Sequence, residues 1–98
     1  MAFMEISIVP IGTKTTSLSK YIADIIRLLE ESELKFALND MGTTIHGPID
    51  QLFDIAKKLH DVPFQKGAKR VYTVIKIDDR RDKRSNLGDK KSSVLKKL

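Results

Sequence analysis

The 98-residue sequence predicts one α+β domain of the ferredoxin-like type, in which a four-stranded antiparallel sheet carries two helices on one face in the order βαββαβ. Three observations predict it. Two segments repeat apolar residues at spacings of three and four, four segments read as strands, and the breaks between them fall at Gly, Pro and polar runs.

The first strand runs from Phe3 to Ile11, with Met4, Ile6 and Ile8 on one side and Glu5, Ser7 and Val9 on the other. Pro10 has no N–H to donate, so it belongs near the strand's end or at a sheet edge. Gly12 to Ser17 is a polar connector, and Ser17 is expected to cap the following helix. Leu18, Tyr21, Ile22, Ile25, Leu28 and Leu29 then form one apolar stripe of a helix running to about Ser32. Ile26 falls off that stripe and suggests a broad buried face.

Lys35 to Met41 and Thr43 to His46 read as two short strands joined by a turn over Asn39 to Gly42. Gly47-Pro48 breaks the second of them, and Pro48 suits the first position of a helix, where no N–H is needed. Leu52, Ile55, Ala56 and Leu59 make the second stripe, expected to end before Pro63. Lys69 to Asp78 is the last strand. Val71, Thr73, Ile75 and Ile77 share one face, and Arg70, Tyr72, Val74 and Lys76 share the other, and either set can face the helices. Residues 1–79 are thus the domain. Residues 80–98 form a basic C-terminal extension whose Leu87, Val94, Leu95 and Leu98 suggest a short helix packing on the domain or on a partner subunit.

Composition excludes several classes. There is no Cys, so neither a disulfide nor a thiolate zinc site can form. No apolar run approaches the roughly 20 residues of a membrane span, and Met1 to Glu5 lacks the charged start of a signal peptide, so a cytoplasmic protein is expected. The net charge of +5 divides unevenly, with 12 Lys/Arg against 4 Asp/Glu after residue 65. A basic end invites nucleic acid, yet only Phe3 and Tyr72 could supply stacking from the central strands. His46 and His60 lack metal-ligand spacing, and no Ser sits in a nucleophile elbow. Gly-Thr-Lys-Thr-Thr after the first strand lacks the phosphate-loop spacing. Neither an enzyme nor a metal or cofactor site is expected.

What remains is a set of small hydrogen-bonding groups at strand positions: Ser7, Asn39, Thr43, Thr44, His46, Arg70 and Thr73. Set among Phe36, Met41 and Tyr72, they suit a small polar heterocycle, although ordinary cross-strand Thr and Ser pairing gives the same pattern. The sheet face away from the helices is half apolar. A second subunit is the expected cover, which makes the protein a homo-oligomer, dimer or tetramer.

Four stretches of this chain resemble the small thiamine-binding (YkoF-like) protein family: Ile6 to Thr13, Ser17 to Ala23, Met41 to Gly47, and Arg70 to Thr73 with Lys76 to Arg80. Lys90 to Val94 resembles the family's closing Lys-x-x-Ser-Val element, and Met-Gly-Thr-x-Ile-x-Gly in the hairpin is the most specific likeness. The resemblance implies a ferredoxin-like fold assembling through its sheets, and non-catalytic binding of thiamine or its hydroxymethylpyrimidine part. It points to Thr43 and Thr44 as ligand contacts, while Ser7, Asn39 and Arg70 are pocket candidates from the strand faces. His46 stands where the family pattern has Glu, a natural partner for an aminopyrimidine, and so bears on ligand choice. The alternative is an oligomeric interaction or nucleic-acid-binding module that uses the basic C-terminal segment.

Overall fold

A computed structural model of the chain describes residues 1–12 and 19–98, so the expected cap Ser17 and the stripe residue Leu18 lie outside the described residues. The elements are β1 (Ala2–Ile11), α1 (Ser19–Ser32), β2 (Lys35–Asn39), β3 (Gly42–Gly47), α2 (Ile49–Gln65), β4 (Arg70–Asp78) and α3 (Asp89–Lys96). The four strands form one antiparallel sheet in the order β2-β3-β1-β4. This is the ferredoxin-like sheet, with a third helix added at the C-terminus.

Register assigns every side chain to a face. Met4 lies opposite Ile45 on one side and Ile77 on the other, and Ile6 lies opposite Thr43 and Ile75. Met4, Ile6 and Ile45 are buried with Tyr21, Ile25 and Leu29 of α1 and with Leu52, Ile55, Leu59 and Val62 of α2. Removal of this apolar surface from water, worth about 25 cal/mol per Å², holds the two layers together. The helix face of β4 is therefore Val71, Thr73, Ile75 and Ile77, which resolves the two-way choice the strand's own pattern left open. Cover is thin there, because Ile75 and Ile77 stay 41% and 36% exposed although they point toward the helices. His60 of α2 reaches β4, its Nδ1 lying 2.7 Å from Thr73 Oγ1, and its ring meets Phe64 edge-on.

Two prolines behave differently from their sequence expectation. Pro48 precedes α2 as its N-cap, in extended backbone, and its carbonyl accepts from Leu52 N at 3.0 Å. Pro63 does not end α2; the helix continues to Gln65. Pro63 gives up one backbone hydrogen bond, but it and Val62 are buried in the core, and that burial offsets the loss. Pro10 falls where β1 is paired with β4 alone, since the β3 partnership stops at Ile6, so its missing N–H interrupts nothing there.

Gly42 opens β3 beneath β1. A Cβ built on it would stand 3.0 Å from the Ile6 carbonyl oxygen, a close approach that only glycine permits without moving a central strand.

Candidate functional site

The sheet face away from α1 and α2 is organised in rows that cross the strands. One row runs Ala37, Thr44, Glu5, Lys76 through β2, β3, β1 and β4. The next runs Lys35, His46, Phe3, Asp78. Adjacent strands lie about 4.8 Å apart, so Thr44 and Lys76 flank Glu5 within one small-molecule width.

The chain covers part of this face itself. After β4 it turns back over the sheet, and Asn86, Leu87, Gly88, Asp89, Lys90 and Lys91 wall a cavity of about 610 Å³ whose floor includes Phe3, Glu5, Ala37, Asn39, Thr44 and Lys76. Gly88 takes φ +90°, in the left-handed region, where the chain bends into α3. Asp89 Oδ2 accepts from Asn86 N at 2.7 Å, and Lys90 Nζ lies 2.5 Å from Asp78 Oδ2. Leu87 is half-buried, whereas all of α3 is exposed. The strap is thus held by one ion pair and one apolar side chain, which is little. A second subunit, the cover expected from the sequence, would meet a face that residues 86–91 already cover in part.

Within the cavity the polar groups are few and directed. Asn39 Nδ2 donates to Thr44 Oγ1 at 3.1 Å, leaving the threonine O–H free to donate and Asn39 Oδ1 free to accept. Glu5 Oε1 lies 4.0 Å from Lys76 Nζ, a loose pair in which the carboxylate is half exposed. Such a pair adds little to stability, so the carboxylate can be given to a ligand at small cost. Phe3 and Ala37 supply apolar surface. A volume of this size with a few convergent polar groups is the ordinary form of a small-molecule site.

The residues singled out from sequence do not all meet here. Asn39 and Thr44 line the cavity. Thr43 points the other way, is nearly buried on the helix face, and borders a second concavity of about 420 Å³ with Ser7, Asn39 and Met41. That concavity occupies the notch beside the β2–β3 turn, where β3 begins and β1 continues past it. Ser7 lies opposite Val74, one row beyond Glu5. Arg70 lies opposite Ile11, six positions along β1 from Glu5 and so about 20 Å from it at 3.3 Å per residue. Arg70 cannot share a small ligand with Thr44. Glu5 and Lys76 were not among the candidates, though the alternation of β1 already put Glu5 on this face. Missing from the sequence was the register that sets Lys76 and Thr44 beside it.

His46 sits in the neighbouring row, 3% exposed, with its ring stacked on Phe3 at 4.5 Å between centroids. Neither ring nitrogen is hydrogen-bonded within the described chain. Burial lowers its pKa from the ordinary imidazole value, and the N-terminal ammonium and Lys35 add to the effect. The Ser85 backbone and the Asp89 carboxylate pull the other way without a hydrogen bond of good geometry forming. A depressed folded-state pKa means that the unfolded chain binds the proton first. Stability contributed by neutral His46 is therefore complete above the ordinary value of 6.5 and is lost as pH falls below it. Urea midpoints should drop as pH is lowered from about 7.5 to 5.5, and His46→Phe, which keeps the stack on Phe3, should flatten that slope.

Among the described residues no three His, Cys, Asp or Glu side chains gather as a metal site, and no helix is long and apolar enough to cross a membrane. Arg80 and Arg81 of the basic segment are paired with Asp82 and Asp79, and Lys90 with Asp78.

Comparison with known proteins gives a consistent result. The family described as thiamine-binding protein matches residues 4–95. The UPF0045 protein YqgV of Bacillus subtilis is 46% identical over 102 residues, covering 100% of this chain and 98% of its own. A UPF0045 protein of Methanothermobacter thermautotrophicus is 38% identical over 99 residues, with both chains covered completely. The crystal structure of the MJ1052 protein of Methanocaldococcus jannaschii superposes with a TM-score of 0.81 at 32% identity, covering 99% of this chain and 97% of that one. A Thermotoga maritima protein, described as a candidate in thiamine biosynthesis or salvage, shares the fold with a TM-score of 0.77 at 22% identity, covering 95% and 97% of the two chains. With a family match across almost its whole length and full-length relatives well above 30% identity, this chain belongs to the thiamine-binding protein family.

Proposed function

We propose that the protein binds thiamine, or its hydroxymethylpyrimidine part, in the open-face cavity and carries out no chemistry on it. The observation that carries this reading is the row Thr44, Glu5, Lys76 with Asn39 beside it, on the floor of a cavity of about 610 Å³. An aminopyrimidine presents an amino donor next to a ring-nitrogen acceptor. Glu5 and Asn39 Oδ1 accept from the amino group, and the Thr44 hydroxyl donates to the ring nitrogen. Phe3 and Ala37 take the apolar edge. Glu5 also supplies the carboxylate that His46 does not, one row away on the adjacent strand. The family match and the Thermotoga maritima relative's description favour this ligand class.

The rest of the reading concerns assembly. Val9, Tyr72 and Val74 are exposed on the same face beyond the strap, and a second subunit's sheet stacked there would close the cavity's open side. A cytoplasmic homo-oligomer is the setting this implies. Isothermal titration of the purified protein with thiamine and with hydroxymethylpyrimidine tests the ligand claim. Saturable heat with at least one is expected, and no heat with either at millimolar ligand would reject it.

A further inference from the structure

The cavity proposed to hold the ligand does not end at Phe3. Phe3, Asp78, Asp89 and Lys90 border it and also border a second concavity of about 640 Å³ beside α3. The two hollows differ in charge. The first has on its floor one loose pair, Glu5 with Lys76. The second is lined by Arg80, Lys83, Lys90 and Lys96 against only two carboxylates, Asp78 and Asp89, with the hydroxyls of Ser92 and Ser93 among them. Asp82 holds Arg80 and Asp78 holds Lys90, whereas Lys83 and Lys96 have no acidic partner among the described residues.

His46 adds an unmet group at the same place. It is 3% exposed and stacked on Phe3, and neither ring nitrogen has a hydrogen-bond partner among the described residues. A neutral imidazole still has one N–H to give and one lone pair to fill, and leaving them unmet in the interior costs free energy. The groups that act on this ring include Ser85 and Asp89, both on the wall of the basic concavity, with Lys35 and the N-terminal ammonium as the neighbouring cations. A cationic hollow with serine hydroxyls on its wall and an unpaired imidazole behind it is complementary to a phosphate ester. Such a group carries about −1.5 to −2 charge near pH 7 and three acceptor oxygens.

We infer that this concavity seats the phosphate of a phosphorylated ligand whose pyrimidine lies in the adjoining cavity, so that the phosphate ester, not the free alcohol, is the preferred form. This rests on the ligand reading above and adds the substituent which that reading leaves open. The shared border lets one molecule occupy both hollows, the ring over Glu5 and Thr44 and the ester beyond Phe3. Nucleic acid also brings phosphate, but a polymer needs cations spaced along a track. Here the unpaired Lys83 and Lys96 line a single hollow.

Isothermal titration in dilute buffer compares thiamine with thiamine monophosphate, hydroxymethylpyrimidine with its phosphate, and inorganic phosphate alone. Each ester should bind at least about tenfold more tightly than its alcohol, with the advantage shrinking in about 0.5 M salt. Replacing both unpaired cations, Lys83→Ala with Lys96→Ala, should remove most of that advantage and leave the affinity for the alcohols unchanged. Both side chains are exposed, so the fold should hold, which circular dichroism checks. The His46 imidazole, followed by NMR, should titrate at higher pH with the ester bound than with the alcohol, because the ester adds negative charge beside it. Alcohols that bind with esters no tighter would overturn the inference and leave the ligand reading intact. Esters that bind through Lys83 and Lys96, more tightly than inorganic phosphate, while the alcohols give no heat would uphold the seat and reject only the alcohols as ligands. No heat with any of them would remove both. Inorganic phosphate as tight as the esters, or a double variant that weakens alcohol and ester alike, would overturn the inference. So would an RNA oligonucleotide that binds more tightly than the esters and is lost in the same variant.

Discussion

Glu5→Gln should weaken binding of thiamine or hydroxymethylpyrimidine roughly 2- to 30-fold while leaving the fold unchanged. The substitution keeps the side chain's size and one acceptor oxygen but removes the charge. A hydrogen bond to a charged group contributes about 1.5–3 kcal/mol, against about 1 kcal/mol for a neutral one, and every 1.4 kcal/mol is tenfold in affinity. The stability change should be within about 0.5 kcal/mol, because the pair that Glu5 makes with Lys76 is loose and half exposed. Titration calorimetry of the variant, read beside its urea midpoint, separates the two effects. Unaltered affinity would remove Glu5 from the site and with it the proposed orientation of the ring. A parallel drop in stability would mean that the carboxylate is structural.

Ile45→Ala should be among the most damaging single truncations in the domain, with a loss of about 3 kcal/mol in the 2–5 kcal/mol range typical of Ile-to-Ala in a core. Ile45 is fully buried on β3, directly between Met4 of β1 and Phe36 of β2. Its removal opens a hole at the centre of the sheet's helix face, where strands on both sides limit collapse. Domains of this size have only about 5–15 kcal/mol in total, so the variant should unfold at much lower denaturant with an unchanged slope. Thr44 and His46 flank Ile45 on the opposite face, and ligand affinity should fall with it. A loss below about 1 kcal/mol would mean that the helices relax into the space.

Most of the fold was legible along the chain because its signals are local. The alternation of Met4, Ile6 and Ile8 against Glu5, Ser7 and Val9 sorts β1 into faces, and the stripe Leu52, Ile55, Ala56, Leu59 states which side of α2 is buried. Gly42 and Gly47-Pro48 mark the bounds of β3. A helix or a strand needs only its own periodicity to declare itself, and short connections then leave few ways to assemble the pieces. Boundaries set by burial were less legible. Pro63 looked like a stop and is a buried helical residue, since what keeps the last turn of α2 is the core beneath it.

The site was only partly legible, for a reason of the same kind. Asn39 and Thr44 were identifiable from strand position, and they do share the cavity with Glu5. Arg70 shares their strand face, yet the register carries it to the far end of the sheet, opposite Ile11. Thr43 and Thr44 are neighbours in sequence and point to opposite faces, so only one of them can line a given cavity. Lys76 and the strap of residues 86–91 enter the site through pairings that span most of the chain. By itself, then, the sequence determined the elements, their order and the side of each that is apolar. The tertiary structure alone decided which polar residues meet, because strand register and the return of the C-terminal segment depend on contacts between residues that no local pattern relates.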